Sequence, residues 1–115
     1  MKIERFEDIL AWQKAKVMTL RIYSLIKDSK NFGFRDQICR ASVSVMNNIA
    51  ECFERKSDSE FKHFLYIAKG SCGEVRSMLY LAKDLNYIHE EEYLNLMKLS
   101  NEVSKMLSGL IKTLK

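Results

Sequence analysis

Apolar residues recur at spacings of three and four along most of the chain, broken by short polar runs, and this pattern predicts four helices. The first is expected from about Asp8 to Asp28, on Ile9, Trp12, Val17, Leu20, Tyr23 and Ile26, and is closed by Asp28-Ser29-Lys30-Asn31 and Phe32-Gly33. The second is expected from about Phe34 to Arg55, with Ile38, Ala41, Val45, Ile49 and Cys52 on one face. The third is expected over about 58–86. Ser57-Asp58-Ser59-Glu60 fits a capping box, in which Ser57 and Glu60 satisfy each other's free backbone N–H groups. Phe61, Leu65, Ala68, Cys72, Val75, Leu79 and Ala82 then alternate by four and three, a seam suited to antiparallel neighbours. Asn86 fits a left-handed C-terminal turn. The fourth is expected over about 90–113. Glu90-Glu91-Glu92 complements the dipole of its first turn. Leu96, Leu99, Val103, Met106 and Leu110 carry its seam, and Leu107, Ile111 and Leu114 widen it.

The chain has 115 residues, suited to one domain over 1–115 with one core, and its 47% apolar content supports a packed interior. Pro is absent and Gly occurs four times, which favours helices joined by short turns. Short turns force sequential helices to run antiparallel, so the expected fold is all-α, an up-down-up-down four-helix bundle. Phe64, Ile67, Met78 and Leu81 broaden the apolar face of the third helix, as a deeper core or as an oligomer interface. The longest uncharged stretch, Ala41 to Ala50, is too short to cross a bilayer. Met1-Lys2-Ile3-Glu4-Arg5 lacks an apolar signal region, so a cytoplasmic protein without membrane contact is expected. Cys39, Cys52 and Cys72 are odd in number and widely spaced, and are expected to be reduced thiols that pack as small hydrophobes.

Little in the chain favours catalysis. Glu60-Phe61-Lys62-His63 matches half of a di-iron ligand set, but the other histidine, His89, has Asn86 in place of the second glutamate. No metal, cofactor or catalytic residue is therefore expected. Gly70 and Gly73 fall within the third helix, where each costs ~1 kcal/mol relative to Ala, and close approach of a neighbouring helix or of a ligand would explain them. Asn47-Asn48 needs partners if buried and could fix helix register. Trp12 reads as a core anchor.

Charge changes the picture most. The formal net charge is +4, and Lys62, Lys69, Arg76 and Lys83 recur every seven residues on the third helix, with Tyr66, Gly73 and Tyr80 between them. Cations interleaved with aromatic rings can follow a phosphate backbone and stack bases. At 1.5 Å per residue the stripe spans ~30 Å. The alternative is a solvated helix edge with snorkelling lysines, neutralised across helices by Glu51, Glu54, Glu74 or Glu102. A second series, Lys98, Lys105 and Lys112, has Glu102 close by.

Several motifs resemble those of the four-helix bundle proteins encoded by intervening sequences in bacterial 23S rRNA genes. They are Phe6-Glu7-Asp8-Ile9-Leu10-Ala11-Trp12-Gln13-Lys14-Ala15, then Asp36-Gln37-Ile38, Arg40-Ala41 and Asn48-Ile49-Ala50-Glu51. Phe61, Phe64-Leu65-Tyr66-Ile67-Ala68, Gly70-Ser71 and Ala82-Lys83-Asp84-Leu85 continue the match. The resemblance implies an antiparallel bundle assembled as a ring-like homopentamer. It also implies kinship with the accessory bundle protein of diversity-generating retroelements, a basic ring associated with nucleic acid and a reverse transcriptase. Cys39 stands where an arginine is usual, Met46 where a proline is usual and Cys52 where a glycine is usual, so the second helix should be straighter than in relatives. Arg40 and Arg55 would extend the basic surface. The expected function is a non-enzymatic scaffold that binds RNA, an RNA–protein complex or DNA. A protein-interaction scaffold is the rival.

Overall fold

A computed structural model describes residues 4–114. Met1-Lys2-Ile3, the start of the segment read as lacking a signal, lies outside the described residues, as does Lys115. Four helices follow a short 3-10 turn, Phe6–Asp8: α1 (Leu10–Ile26), α2 (Phe32–Cys52), α3 (Asp58–Asp84) and α4 (Glu90–Lys112), with no strand among the described residues.

The helix starts differ from expectation where capping chemistry takes over. Phe6–Asp8 closes its own turn and Ile9 is extended, so α1 begins at Leu10 and not at Asp8. Gln13 Nε2 reaches back to the Glu7 carbonyl at 2.8 Å and holds the turn on the helix. Asn31 Oδ1 accepts from Phe34 N–H at 3.1 Å, so α2 starts at Phe32, and Gly33 lies inside its first turn and does not mark a break. At the other end, Phe53, Glu54 and Arg55 donate to carbonyls three residues back, a tightened turn that stops α2 at Cys52 and not at Arg55. Met46 leaves α2 continuous.

The ends of α3 carry its register. Ser57 Oγ accepts from Glu60 N–H at 3.2 Å, while the Glu60 carboxylate meets the Ser57 hydroxyl and not the Ser57 N–H, so half of the expected capping box forms. Asn86 takes φ 61°, Tyr87 N–H bonds the Ala82 carbonyl at 2.8 Å and Asn86 N–H bonds Lys83 at 3.0 Å, the Schellman pattern expected of a left-handed terminator. Tyr87 then packs edge-on against Phe34 at 5.2 Å and its hydroxyl accepts from Asn31 Nδ2.

Each helix packs on two neighbours, closing the cycle α1–α2–α3–α4–α1. Thr19 meets Ser42, Ser44 meets Ser71 and Cys72 meets Ser100 near the helix midpoints, while Phe53 after α2 meets Phe61 early in α3, Lys83 late in α3 meets Glu90 at the start of α4 and Lys14 early in α1 meets Glu102 in the second half of α4, so sequential helices joined by short turns run antiparallel. The α3 seam is buried as expected apart from half-buried Phe61. Helix α1 departs from expectation. Its core face is Ala11, Ala15, Met18, Thr19, Ile22 and Ile26, whereas Val17, Leu20 and Tyr23 are exposed. Small residues let neighbouring helices approach, and the side chain, not the hydropathy, decides the buried face. Trp12 is half-buried against Phe6, with Lys16 Nζ 5.6 Å from its ring, and is not a deep anchor. In α4 the core line runs Tyr93, Leu96, Ser100, Val103, Leu107, with Leu99, Met106 and Leu110 only partly buried.

Candidate functional site

Helix α3 is 27 residues long and points one flank inward. The heptad spacing that buries Leu65, Cys72 and Leu79 necessarily repeats the residues beside them, so Lys62, Lys69, Arg76 and Lys83 share an adjacent flank that is half-buried at its base. Tyr66 and Tyr80 project beyond it and are 58% and 55% exposed. Gly73 lies between them. An added methyl there would meet only the Arg76 guanidinium, at 3.7 Å, and at Gly70 it would meet nothing within 4 Å. Close approach of a neighbouring helix in the same chain therefore explains neither glycine. Gly73 leaves an open backbone shelf on the cationic flank.

The stripe is unevenly neutralised. Lys83 Nζ is 3.5 Å from Glu90 and lies 4.7 Å from the centre of the Tyr93 ring, because the α3–α4 turn brings the acidic first turn of α4 beside it. Arg76 Nη1 donates to Cys72 Sγ at 3.8 Å, folded along its own helix. Among the described residues no carboxylate lies within 4.0 Å of Lys62, Lys69 or Arg76. Three acids that could have neutralised them are engaged elsewhere. Glu51 pairs with Arg55, Glu74 accepts from Gln37 and Glu102 pairs with Lys14. The Lys14 hydrogen bond holds the Glu102 carboxyl below its ordinary range. Lys98, Lys105 and Lys112 stay exposed on α4.

Other candidate residues fall apart from the stripe. Arg55 is tied to Glu51 and lies 4.4 Å from the Phe64 ring centre, so it adds little free charge, whereas Arg40 is exposed. Of the residues read as an interface, Ile67 and Leu81 are 37% and 47% exposed and Phe64 is half-buried beneath Arg55. Met78 is only 8% exposed and is spent inside the protomer, because its position turns back towards the α3 seam. Asn48 donates to Ser44 within its own helix, and the bond that crosses to α3 is Ser44 Oγ to Ser71 Oγ at 2.9 Å. Glu60 and His63 are both exposed, the latter edge-on to Phe64.

The three thiols are free and buried. Burial pushes the Cys52 thiol up to about 12 and raises Cys39 and Cys72 in the same direction, so all three stay protonated at neutral pH and lack nucleophilic character. Sequence reasoning missed the cleft where Lys27 at the end of α1 meets Arg35, Asp36 and Arg40 of α2. The available signal was basic residues on both sides of one short turn.

A family model described as 23S rRNA-intervening sequence protein matches residues 7–109. The chain is similar to a crystal structure of a protein of unknown function from the S23 ribosomal protein family of Bacteroides thetaiotaomicron, with 29% identity and a TM-score of 0.84, covering 90% of this chain and 99% of that one. Among curated proteins nothing matches. No helix among the described residues is long and apolar enough to cross a membrane.

Proposed function

The chain belongs to the 23S rRNA-intervening sequence protein family, and from that premise we propose that it is a non-enzymatic, oligomeric cytoplasmic scaffold that binds RNA through the α3 edge. The observation that carries this reading is that Lys62, Lys69 and Arg76 lack an ion-pair partner among the described residues while three nearby acids are engaged elsewhere. An unneutralised cationic row attracts a polyanion whose counterions are released on binding. Tyr66 and Tyr80 offer faces on which unpaired bases stack, which favours single-stranded RNA over duplex. The Gly73 shelf admits a phosphate close to the helix backbone. Lys83 contributes less, its charge being shared with Glu90. Assembly as a ring-like homopentamer, implied by the family resemblance, would use the other flank of α3, where Ile67 and Leu81 are exposed, and would repeat the basic edge around the ring.

In a gel-shift assay with single-stranded RNA at low salt, Lys69→Glu with Arg76→Glu should abolish binding while circular dichroism keeps its helical signature. Unchanged binding would remove the assignment. One specific observation favours a protein-interaction scaffold, namely the same exposed Ile67 and Leu81. In that case replacing them with Ser abolishes complex formation, and salt matters little.

A further inference from the structure

On the edge of the bundle opposite α3 and α4, we propose that the cleft between α1 and α2 is a nucleotide site, which seats a base on Tyr23 and Val43 and its phosphate between Lys27 and Arg40. The cleft is an open groove of about 530 Å³, within the ~300–1,000 Å³ range of small-molecule sites. Its apolar wall is the Tyr23 ring, 45% exposed, with Val43 and the buried Cys39 behind it. Tyr23 on α1 and Cys39 on α2 line the same cleft, which places the tyrosine side chain across the groove between the two helices.

Charge at the rim is sorted. Arg35 bonds Asp36 at 3.3 Å and stacks on Phe32 at 4.7 Å, so it is held in place as a wall. Lys27 and Arg40 have no carboxylate within 4.0 Å among the described residues and remain available to an anion. A phosphate monoester satisfies both with charge-assisted hydrogen bonds. Asp36, whose Oδ1 already accepts from Arg35, keeps its second oxygen as an acceptor for a ribose hydroxyl or a base amino group, which plain phosphate lacks. The combination of an aromatic wall, two free cations and one acceptor matches a nucleoside phosphate better than an inorganic anion. The cleft does not share a residue with the α3 stripe, so this inference stands apart from RNA binding there.

The test titrates the intact chain with AMP and with inorganic phosphate, following amide shifts by NMR. The expected result is saturable binding of AMP that perturbs Tyr23, Val43 and Arg40, with inorganic phosphate at least about tenfold weaker. Lys27→Gln with Arg40→Gln should weaken AMP about tenfold or more. Tyr23→Ala should do so as well, Tyr23→Phe should retain binding, and Lys69→Glu with Arg76→Glu should leave it unchanged. Competition distinguishes the source of the nucleotide. If 5′-phosphorylated RNA displaces AMP better than 5′-hydroxyl RNA, the ligand is a strand end, and if the two are equal it is a free nucleotide. Absence of AMP binding at millimolar concentration, equal affinity for inorganic phosphate, or indifference to the Lys27 and Arg40 changes would overturn the proposal.

Discussion

The C-terminal end and the middle of the α3 stripe carry the same kind of residue at the same spacing and sit in different electrostatic surroundings. Towards the C-terminus, Lys83 faces the acidic first turn of α4 and shares its charge with Glu90 and the Tyr93 ring. Towards the middle, Lys69 and Arg76 face a stretch of α4 that supplies no carboxylate within reach, since Glu102 is turned to Lys14 on the opposite edge. A heptad repeat fixes where cations stand along a helix, and the neighbouring helix decides which of them are free. The functional weight of the stripe should therefore fall on Lys62, Lys69 and Arg76 and not be spread evenly along it.

The largest effect should come from breaking the frame on which both regions hang. Leu79→Ala on the core flank should cost about 2–5 kcal/mol in chemical denaturation, because a fully buried side chain leaves a cavity. Tyr80→Ala, one position along and half-exposed, should change stability by about 0.5 kcal/mol or less. Equal losses at both positions would mean that the stripe flank is packed and not open.

Next come single alanine changes along the stripe. Lys69→Ala or Arg76→Ala should lower RNA affinity about five- to tenfold at low salt, and Lys83→Ala by about twofold, since Glu90 already offsets its charge. A deeper loss at Lys83 would invert the comparison. The glycines sharpen it further. Gly70→Ala and Gly73→Ala should each stabilise the helix by about 0.5–1 kcal/mol. Gly73→Ala should also weaken RNA binding, while Gly70→Ala, off the stripe, should not.

The smallest effect is expected at the neutralised edge. Because the Glu102 carboxyl titrates below its ordinary value of 4.5, its stabilising pairing with Lys14 is intact above that pH and fades as pH falls through the lowered value. Acid unfolding of Glu102→Gln should therefore differ from that of the native chain at neutral pH and converge with it at the acid end. A constant difference at every pH would show that the pair acts by packing alone.

Much of this was legible in the residues. The α3 seam, the Asn86 terminator and the buried thiols follow from spacing and backbone chemistry, which are local properties. The exposure of Val17 and Leu20 was not legible, because α1 buries alanines, and the identity of the closest-packed face depends on how near α2 and α4 can come. The same limit applies to the stripe. Seven-residue spacing placed Lys62, Lys69, Arg76 and Lys83 together, but their partners lie on another helix, so the tie between Lys83 and Glu90 and the diversion of Glu102 to Lys14 needed three dimensions. Arg55 reads as free charge in the sequence, whereas it pairs with Glu51 one turn back and stacks on Phe64 across the α2–α3 turn. The α1–α2 cleft escaped notice because no single helix contains it.

The most direct measurement of the central claim is the salt dependence of RNA binding, by fluorescence anisotropy on a labelled single strand between 50 and 200 mM salt (~50–200 mM being the range in which counterion release is read). With the three unpaired cations of one protomer on phosphates, the log–log slope should be about −2, roughly a twentyfold loss of affinity over that range. Lys69→Glu with Arg76→Glu should flatten the slope and abolish the low-salt affinity. Tight binding with a slope near zero, unchanged in that variant, would contradict the account.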